Sequence, residues 1–483
     1  MAEERPSVRE IQIRHFLPWL GLFRAFGIAI DPRKLLLAGV GVLVMNFGWF
    51  LLAGLFSASW DPMVRGQTER MFRRCWMVLP NPPSTSQDQG PAVTPRPRTQ
   101  EPMWWNTFSV SSTAIPEQLR DNPVGTLRQL GTNWRFVLRP YEDLFQPFRE
   151  VFERGWGFVP LAFTFLCGVW AVLVWAFFGG AITRIAAIQF ARDEKISLRE
   201  ALKFARARFL SYAGAPVMPL VFIAVMAFFC LLGGGLNVIG WGIGRNIGPV
   251  FAGLFWFLPL IAGFIMAIIA LGWAVGWPLM YSTISVEGSD TFDALSRSYA
   301  YVFQRPWHYL FYAFVILVFG SLCSFFVLLM GDLLVHLSVW AVALLPTWWP
   351  QSWWGEDSAL ELVKQLTYYA PEASGWQAPG IAETAPTGAA WFGAVCAGVW
   401  LYILFLLLVG FVYSYFWSAA TAVYYMLRRD VDNTEMEEVY LEGSEDDFEP
   451  PGQTASPGML GGTSVPGQAS VVASSSEPAA PNK

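Results

Sequence analysis

The chain has 483 residues, 54% hydrophobic and 14% charged, against roughly 25% charged in an ordinary soluble domain, which excludes a single water-soluble globule. The net charge of −5 conceals two parts: residues 430–483 hold 11 acids and one lysine, a balance of −10, leaving 31 Lys+Arg against 26 Asp+Glu, or +5, for residues 1–429. A uniformly acidic protein is excluded as well, and five scattered cysteines, four of them in apolar runs, carry no disulfide framework.

The opening residues lead into a mixed stretch with no apolar core or small-residue cleavage motif, so no cleaved signal peptide is expected. Within residues 1–34, the stretch 11–30 interleaves Phe16, Trp19, Leu20, Phe23 and Phe26 with Arg14 and Arg24. It reads as an amphipathic helix at the inner membrane interface, with a protein-binding helix as the sharper alternative. Asp31-Pro32 then supplies an N-cap and a first helical residue.

A hydrocarbon layer of roughly 30 Å needs about 20 apolar residues per helix. Six segments qualify: 35–56, 158–182, 217–239, 250–273, 309–330 and 390–414, the fourth able to run towards Met280 and the last continuing to about Met426. The short connections holding Arg184 to Arg208, Arg297 with Arg305, and Arg428 with Arg429 all fall on the side of the N-terminal cations. The positive-inside rule makes that side cytoplasmic. The fold class expected is therefore an all-α integral membrane protein of six transmembrane helices with both termini inside.

The first outer loop, 57–157, contains a Pro-rich stretch, 81–102, that is expected to be disordered. Beside it Tyr141, Leu144, Phe145, Phe148 and Phe152 have helical spacing, predicting a small cap on the outer membrane surface. The second outer loop, 332–389, is rich in tryptophan, as in an interfacial belt; a carbohydrate platform is the alternative. The glycines at 233–248 predict a tight outer turn. Residues 390–429 form the sixth span and its inner extension, and the acidic, then Pro/Gly/Ser-rich tail 430–483 is expected to be disordered and cytoplasmic.

A shift of 93 positions lays spans two and three on spans four and five and aligns Glu194, Ala201, Leu202 and Ala207 with Glu287, Ala294, Leu295 and Ala300. Residues 158–331 therefore read as a tandem, parallel helix-elbow-helix repeat with elbows at 194–212 and 287–305. Ser197 with Glu200 is a capping box, and Asp290 with Asp293 a weaker one. One face of each elbow is apolar: Leu198, Leu202, Ala205 and Phe209 in the first, Phe292, Leu295, Val302 and Phe303 in the second.

This S/D-x-x-E/D-A-L cap leading an amphipathic elbow between two spans resembles a broad group of poorly characterised bacterial multi-pass membrane proteins, including the membrane domain fused to some glycerophosphodiester phosphodiesterases. The resemblance covers about residues 158–330. It implies a bacterial inner-membrane protein, and no enzymatic role, because the chain carries no phosphodiesterase catalytic domain.

Lys203, Arg206, Arg208 and Arg297 are candidate contacts for anionic lipid headgroups or a partner at the inner surface; positive-inside orientation alone also accounts for them. Asp332 and His336, one turn apart at the outer end of span five, are a candidate polar pair. Zinc-site spacing, phosphate loops and nucleophile elbows do not occur, so catalytic residues, metals and cofactors are all expected to be none. The cations follow topology, not a basic stripe, and nucleic acid is not an expected partner. Spans one to five as bounded contain no ionisable residue, which disfavours a charged transport relay.

The function expected is a non-enzymatic structural, assembly or regulatory role, with the bilayer and an unknown membrane or cytoplasmic protein as partners through the tail or elbows. The alternative is a permease or transporter subunit for an apolar or lipid-like solute.

Overall fold

The computed structural model describes residues 18–56, 137–145, 158–243, 253–348 and 389–440, all within the unit Met1–Tyr440. Among the described residues 91% are helical and none is in a strand. A 3-10 helix, Pro18–Phe23, leads into α1 (Arg24–Ala29) and α2 (Pro32–Phe56). Then follow α3 (Phe158–Arg192), α4 (Leu198–Ala207), α5 (Phe209–Ile243), α6 (Phe257–Glu287), α7 (Thr291–Gln304), α8 (Pro306–Trp348) and α9 (Ala389–Asp432). Six of these, α2, α3, α5, α6, α8 and α9, are long and apolar enough to cross a membrane, as a multi-pass membrane protein requires.

The helices overrun the apolar windows that mark them. α3 has 35 residues and α9 has 44; at 1.5 Å per residue, α3 is about 52 Å long. The fourth span shifts most, from an expected 250–273 to Phe257–Glu287. Hydropathy ends a span at its first charge, whereas a helix continues wherever that charge finds an internal partner. Of the turn expected at 233–248, residues 233–243 are helical instead, since α5 runs through Gly233 and Gly234 to Ile243; 244–248 lie outside the described residues.

Predicted caps form. Asp31 Oδ1 accepts from the Arg33 amide at 3.0 Å, starting α2 at Pro32. Ser197 and Glu200 make the reciprocal capping box of α4, and Asp290 accepts from the Asp293 amide at the start of α7. Leu198 and Thr291, the first residues of these two helices, stand 93 positions apart.

The elbow half of the bundle is packed solid. Trp175 stacks on Tyr413 at 4.6 Å, and Tyr281 lies 4.6 Å from Trp417. α2 and α9 approach backbone to backbone at Gly410, where a Cβ would lie 2.8 Å from the Leu35 carbonyl oxygen. Gly272 serves α6 and α7 in the same way, a Cβ there falling 2.4 Å from the Tyr299 ring, while Gly276 meets only ordinary contacts. The other half is exposed and apolar: Leu258, Leu260, Phe264 and Leu271 on α6, Phe229 and Leu231 on α5, and Phe47, Leu51 and Leu55 on α2. In water so much contiguous apolar surface would drive aggregation; among lipid tails it is solvated.

The segment preceding α2 packs one face into the bundle and leaves Phe23 and Ile30 exposed on the other. Leu22, Ala25 and Ala29 are buried, Phe23 meets Phe319 at 4.6 Å, and Ser414 donates to the Ala29 carbonyl at 2.7 Å. Its residues 11–17 lie outside the described residues, as do the Pro-rich stretch 81–102 and the tryptophan-rich loop from 349 to 388.

Candidate functional site

Among the described residues, polar clusters interrupt the apolar packing. The first is at the elbow end. Glu287 closes α6 and receives Arg297 of α7 at 2.8 Å and Arg428 of α9 at 3.2 Å, while Tyr424 donates to it at 2.6 Å. Arg297 also bonds Asp293 at 3.1 Å. Burial pulls the Arg297 guanidinium down, but Asp293 and Glu287 outweigh it and raise the group above its ordinary value. Tyr301 donates to Asp432 and Tyr312 to Asp430, tying the end of α9 to α7 and α8. The Tyr301 hydroxyl is raised well above its usual range, first by burial and then by Asp432.

The second cluster joins the two elbows through the chain that follows α9. Arg184, in the middle of an apolar face of α3, donates to the carbonyls of Ser285 and Tyr440, each at 2.7 Å, and lies 4.1 Å over the Phe204 ring. The Tyr440 amide returns a bond to the Val286 carbonyl at 2.7 Å. Beside them Thr183, Ser285 and Tyr212 share hydroxyl bonds of 2.6 and 2.7 Å. Gly288, at φ +65°, leaves the space that the Tyr440 ring fills.

The expectation of a tail disordered from residue 430 is therefore corrected at its start. α9 continues to Asp432 and residues to Tyr440 return to the elbows; only 441–483 lie outside the described residues. Backbone pairing at Val286 and the carbonyl-bound arginine outweigh the acidic composition here.

The third cluster is set beside the middle of α2. Residues 137–145 form a short helical segment in which Val137, Asp143 and Leu144 are buried. Arg139 Nε lies 3.6 Å from Asp143 Oδ2, and Tyr413 donates to the same carboxylate. Tyr141 donates to the Ala274 carbonyl at 2.9 Å, and Phe145 stacks on Trp273 at 4.7 Å. The helical spacing predicted from Tyr141 is present as far as Phe145, but the segment is inserted among α2, α6 and α9 instead of lying on an outer surface; 146–157 fall outside the described residues.

The predicted contact residues separate into two kinds. Lys203 and Arg206 are exposed on α4. Arg208 instead folds over the rings of Phe204 and Tyr440, at 5.5 and 5.1 Å, and Arg297 is bound in the ion cluster. Asp332 and His336 follow the apolar span Pro306–Gly331 within α8, with their side chains outside the described residues. The apolar stripe of the second elbow divides: Leu295 and Val302 face the bundle, whereas Phe292 and Phe303 are exposed. Glu194 is exposed, whereas Glu287 is half-buried.

Sequence reasoning missed the buried charges. Lys34, grouped with the orienting cations, is 0% exposed, with its Nζ 3.4 Å from Ser418 Oγ. Its signal was available: once Pro32 starts α2, Lys34 shares a helical face with Leu37, Ala38, Gly41, Val42 and Met45, all buried. Arg184, Glu287 and Arg428 also belong to helices that extend past the expected spans, so ionisable groups are built into the bundle interior.

No family model, curated protein or solved structure matches the chain.

Proposed function

We propose that this is a non-enzymatic membrane protein with a structural, assembly or regulatory role, whose elbows face the cytoplasm and whose α4 engages anionic lipid headgroups. The observation that carries this reading is the division of basic residues. Arg184, Arg208, Arg297 and Arg428 have internal partners, while Lys203 and Arg206 extend from α4 with Arg199 exposed beside them. Basic residues close to an anionic leaflet each contribute roughly 1 kcal/mol. Exposed Leu210, just after α4, is an apolar residue close in sequence to that charge, as an interfacial anchor would be.

The positive-inside distribution supports the orientation, and the recurrence of long helix, capped short helix and long helix, with the two short helices starting 93 positions apart, supports a tandem parallel repeat. Membership of the group of bacterial inner-membrane proteins that the elbow motif resembles belongs to the same proposal. A partner protein would meet the elbows or the acidic chain beyond Tyr440. The alternative, a permease, is favoured by one observation, the ionisable pair Arg139–Asp143 set beside the middle of a spanning helix.

The lipid reading is tested in nanodiscs with and without phosphatidylglycerol, by native mass spectrometry of retained lipid. Lys203→Gln with Arg206→Gln should abolish the preference for the anionic lipid, a change of about 2 kcal/mol or roughly thirtyfold. Unchanged retention in the double variant would contradict it.

A further inference from the structure

The stretch from Trp19 to Ile30, which includes α1, has two apolar faces. Leu22, Ala25 and Ala29 are buried against the bundle, while Phe23, Gly27 and Ile30 are exposed, and a Cβ at Gly27 would meet nothing within 4 Å. Arg24 is the one ionisable side chain between residues 18 and 30, and the elbow end of α3 engages it. It donates to Asp193 and to the Phe190 carbonyl, with its guanidinium 5.3 Å over the Phe190 ring. The next cations in the chain are held as well, Arg33 by the Ile196 carbonyl and Lys34 by Ser418 at 3.4 Å.

This polarity bears on what the outward face meets. A helix lying on a water-facing surface turns its apolar residues to the protein and its charges outward, whereas a helix apolar on both faces belongs to a protein interior or a bilayer. Depth favours the bilayer. Phe319 stands midway along the apolar span Pro306–Gly331 of α8, and it meets Phe23 at 4.6 Å and Phe26 at 6.3 Å. Trp19 meets Phe311, nearer the start of that span, at 6.0 Å. Phe311 is itself exposed, as are Phe314 and Val318 one and two turns further along, so the outward face of α1 continues a surface that is already apolar. At 2.0 Å per residue for the 3-10 turn and 1.5 Å for the α-helix, Trp19–Ala29 extends about 19 Å, too short to cross a hydrocarbon layer of roughly 30 Å.

We propose that residues 19–30 form a half-depth helix embedded in the leaflet on the elbow side, whose outward face is covered by the acyl chains of that leaflet. Arg24 is the polar end of the arrangement: its long stem passes along apolar surface and delivers the charge to Asp193 at the elbow. The contact is with hydrocarbon and not with headgroup charge, so it goes beyond the lipid contact of α4 and does not rest on it.

The experiment uses the full chain, its five cysteines replaced by serine, in vesicles of phosphatidylcholine with a quarter phosphatidylglycerol. One nitroxide at a time is attached. Gly27→Cys and Ile30→Cys place it on the outward face, Phe314→Cys on the exposed face of α8, and Glu437→Cys on the exposed chain after α9. Power saturation then reads collisions with oxygen, which concentrates in hydrocarbon, and with a nickel chelate, which stays in water. At positions 27 and 30 the ratio of oxygen to nickel collisions should match that at 314 and exceed that at 437 at least tenfold. It should be the same in vesicles without phosphatidylglycerol, which separates this contact from any failure at α4. A ratio at 27 and 30 equal to that at 437 would put the face in water and overturn the proposal. Protection from both reagents, with 314 and 437 behaving as references, would show that a protein covers the face and would overturn it equally.

Discussion

The two elbows begin alike and end in different surroundings. Both start with a side-chain cap, Ser197 on the Glu200 amide and Asp290 on the Asp293 amide, and both bury the alanine that directly follows the first-turn acid, Ala201 and Ala294. On α4 the outward face carries Arg199, Glu200, Lys203 and Arg206; on α7 it carries Phe292 and Phe303, while Arg297 is drawn into Glu287. The cap is a local device that sets where a helix starts, and it works in either environment. What the helix faces is decided by the remaining positions, charged where headgroups and water are met and aromatic where hydrocarbon is met. The same starting signal thus leads to an exposed charged face in one elbow and, in the other, to exposed aromatic residues beside an internal ion cluster.

This contrast predicts unequal sensitivity. Removing Arg428 leaves Glu287 with the half-exposed Arg297 as its cation beside the Tyr424 hydroxyl, and Arg428→Ala should cost about 3 kcal/mol in reversible unfolding in detergent. A cost below about 1 kcal/mol would show that the second elbow is not locked by this cluster. The first elbow should respond less: Ser197→Ala should cost about 1 kcal/mol. Its backbone and side-chain bonds to Glu200 hold that carboxyl below its ordinary range. A carboxyl lowered by folding contributes stability above its unfolded value, and the contribution disappears as pH falls through the folded one. Stability of the native protein should therefore carry an acid-side loss from Glu200 that Ser197→Ala reduces, the Ser197 amide still donating to the carboxylate. Identical acid profiles in the two proteins would contradict the capping box as its source.

The sequence announced what depends on local or compositional signals. Asp31-Pro32 and Ser197 through Glu200 set helix starts because a cap is satisfied within four residues, and the six apolar runs were legible because a bilayer demands a fixed length. The interior charges were not legible, since Arg184, Glu287 and Arg428 are brought together by tertiary packing of α3, α6 and α9 and by the return of Tyr440. A hydropathy window reads each of them as the end of a span. Lys34 lay between these cases: its helical face was readable once α2 was given its start at Pro32, yet a count of orienting cations hid it. Residues 137–145 were readable as a helix and unreadable as an insertion, because Asp143 finds Tyr413 at a separation of 270 positions.

The orientation of the two elbows is tested most directly by labelling in intact cells. With native cysteines replaced, Lys203→Cys on α4 and Arg297→Cys on α7 should each be protected from an impermeant maleimide added outside, and the thiol at position 203 should react once the membrane is permeabilised. Reaction at either position in intact cells would place an elbow outside and contradict the topology on which the proposed function rests.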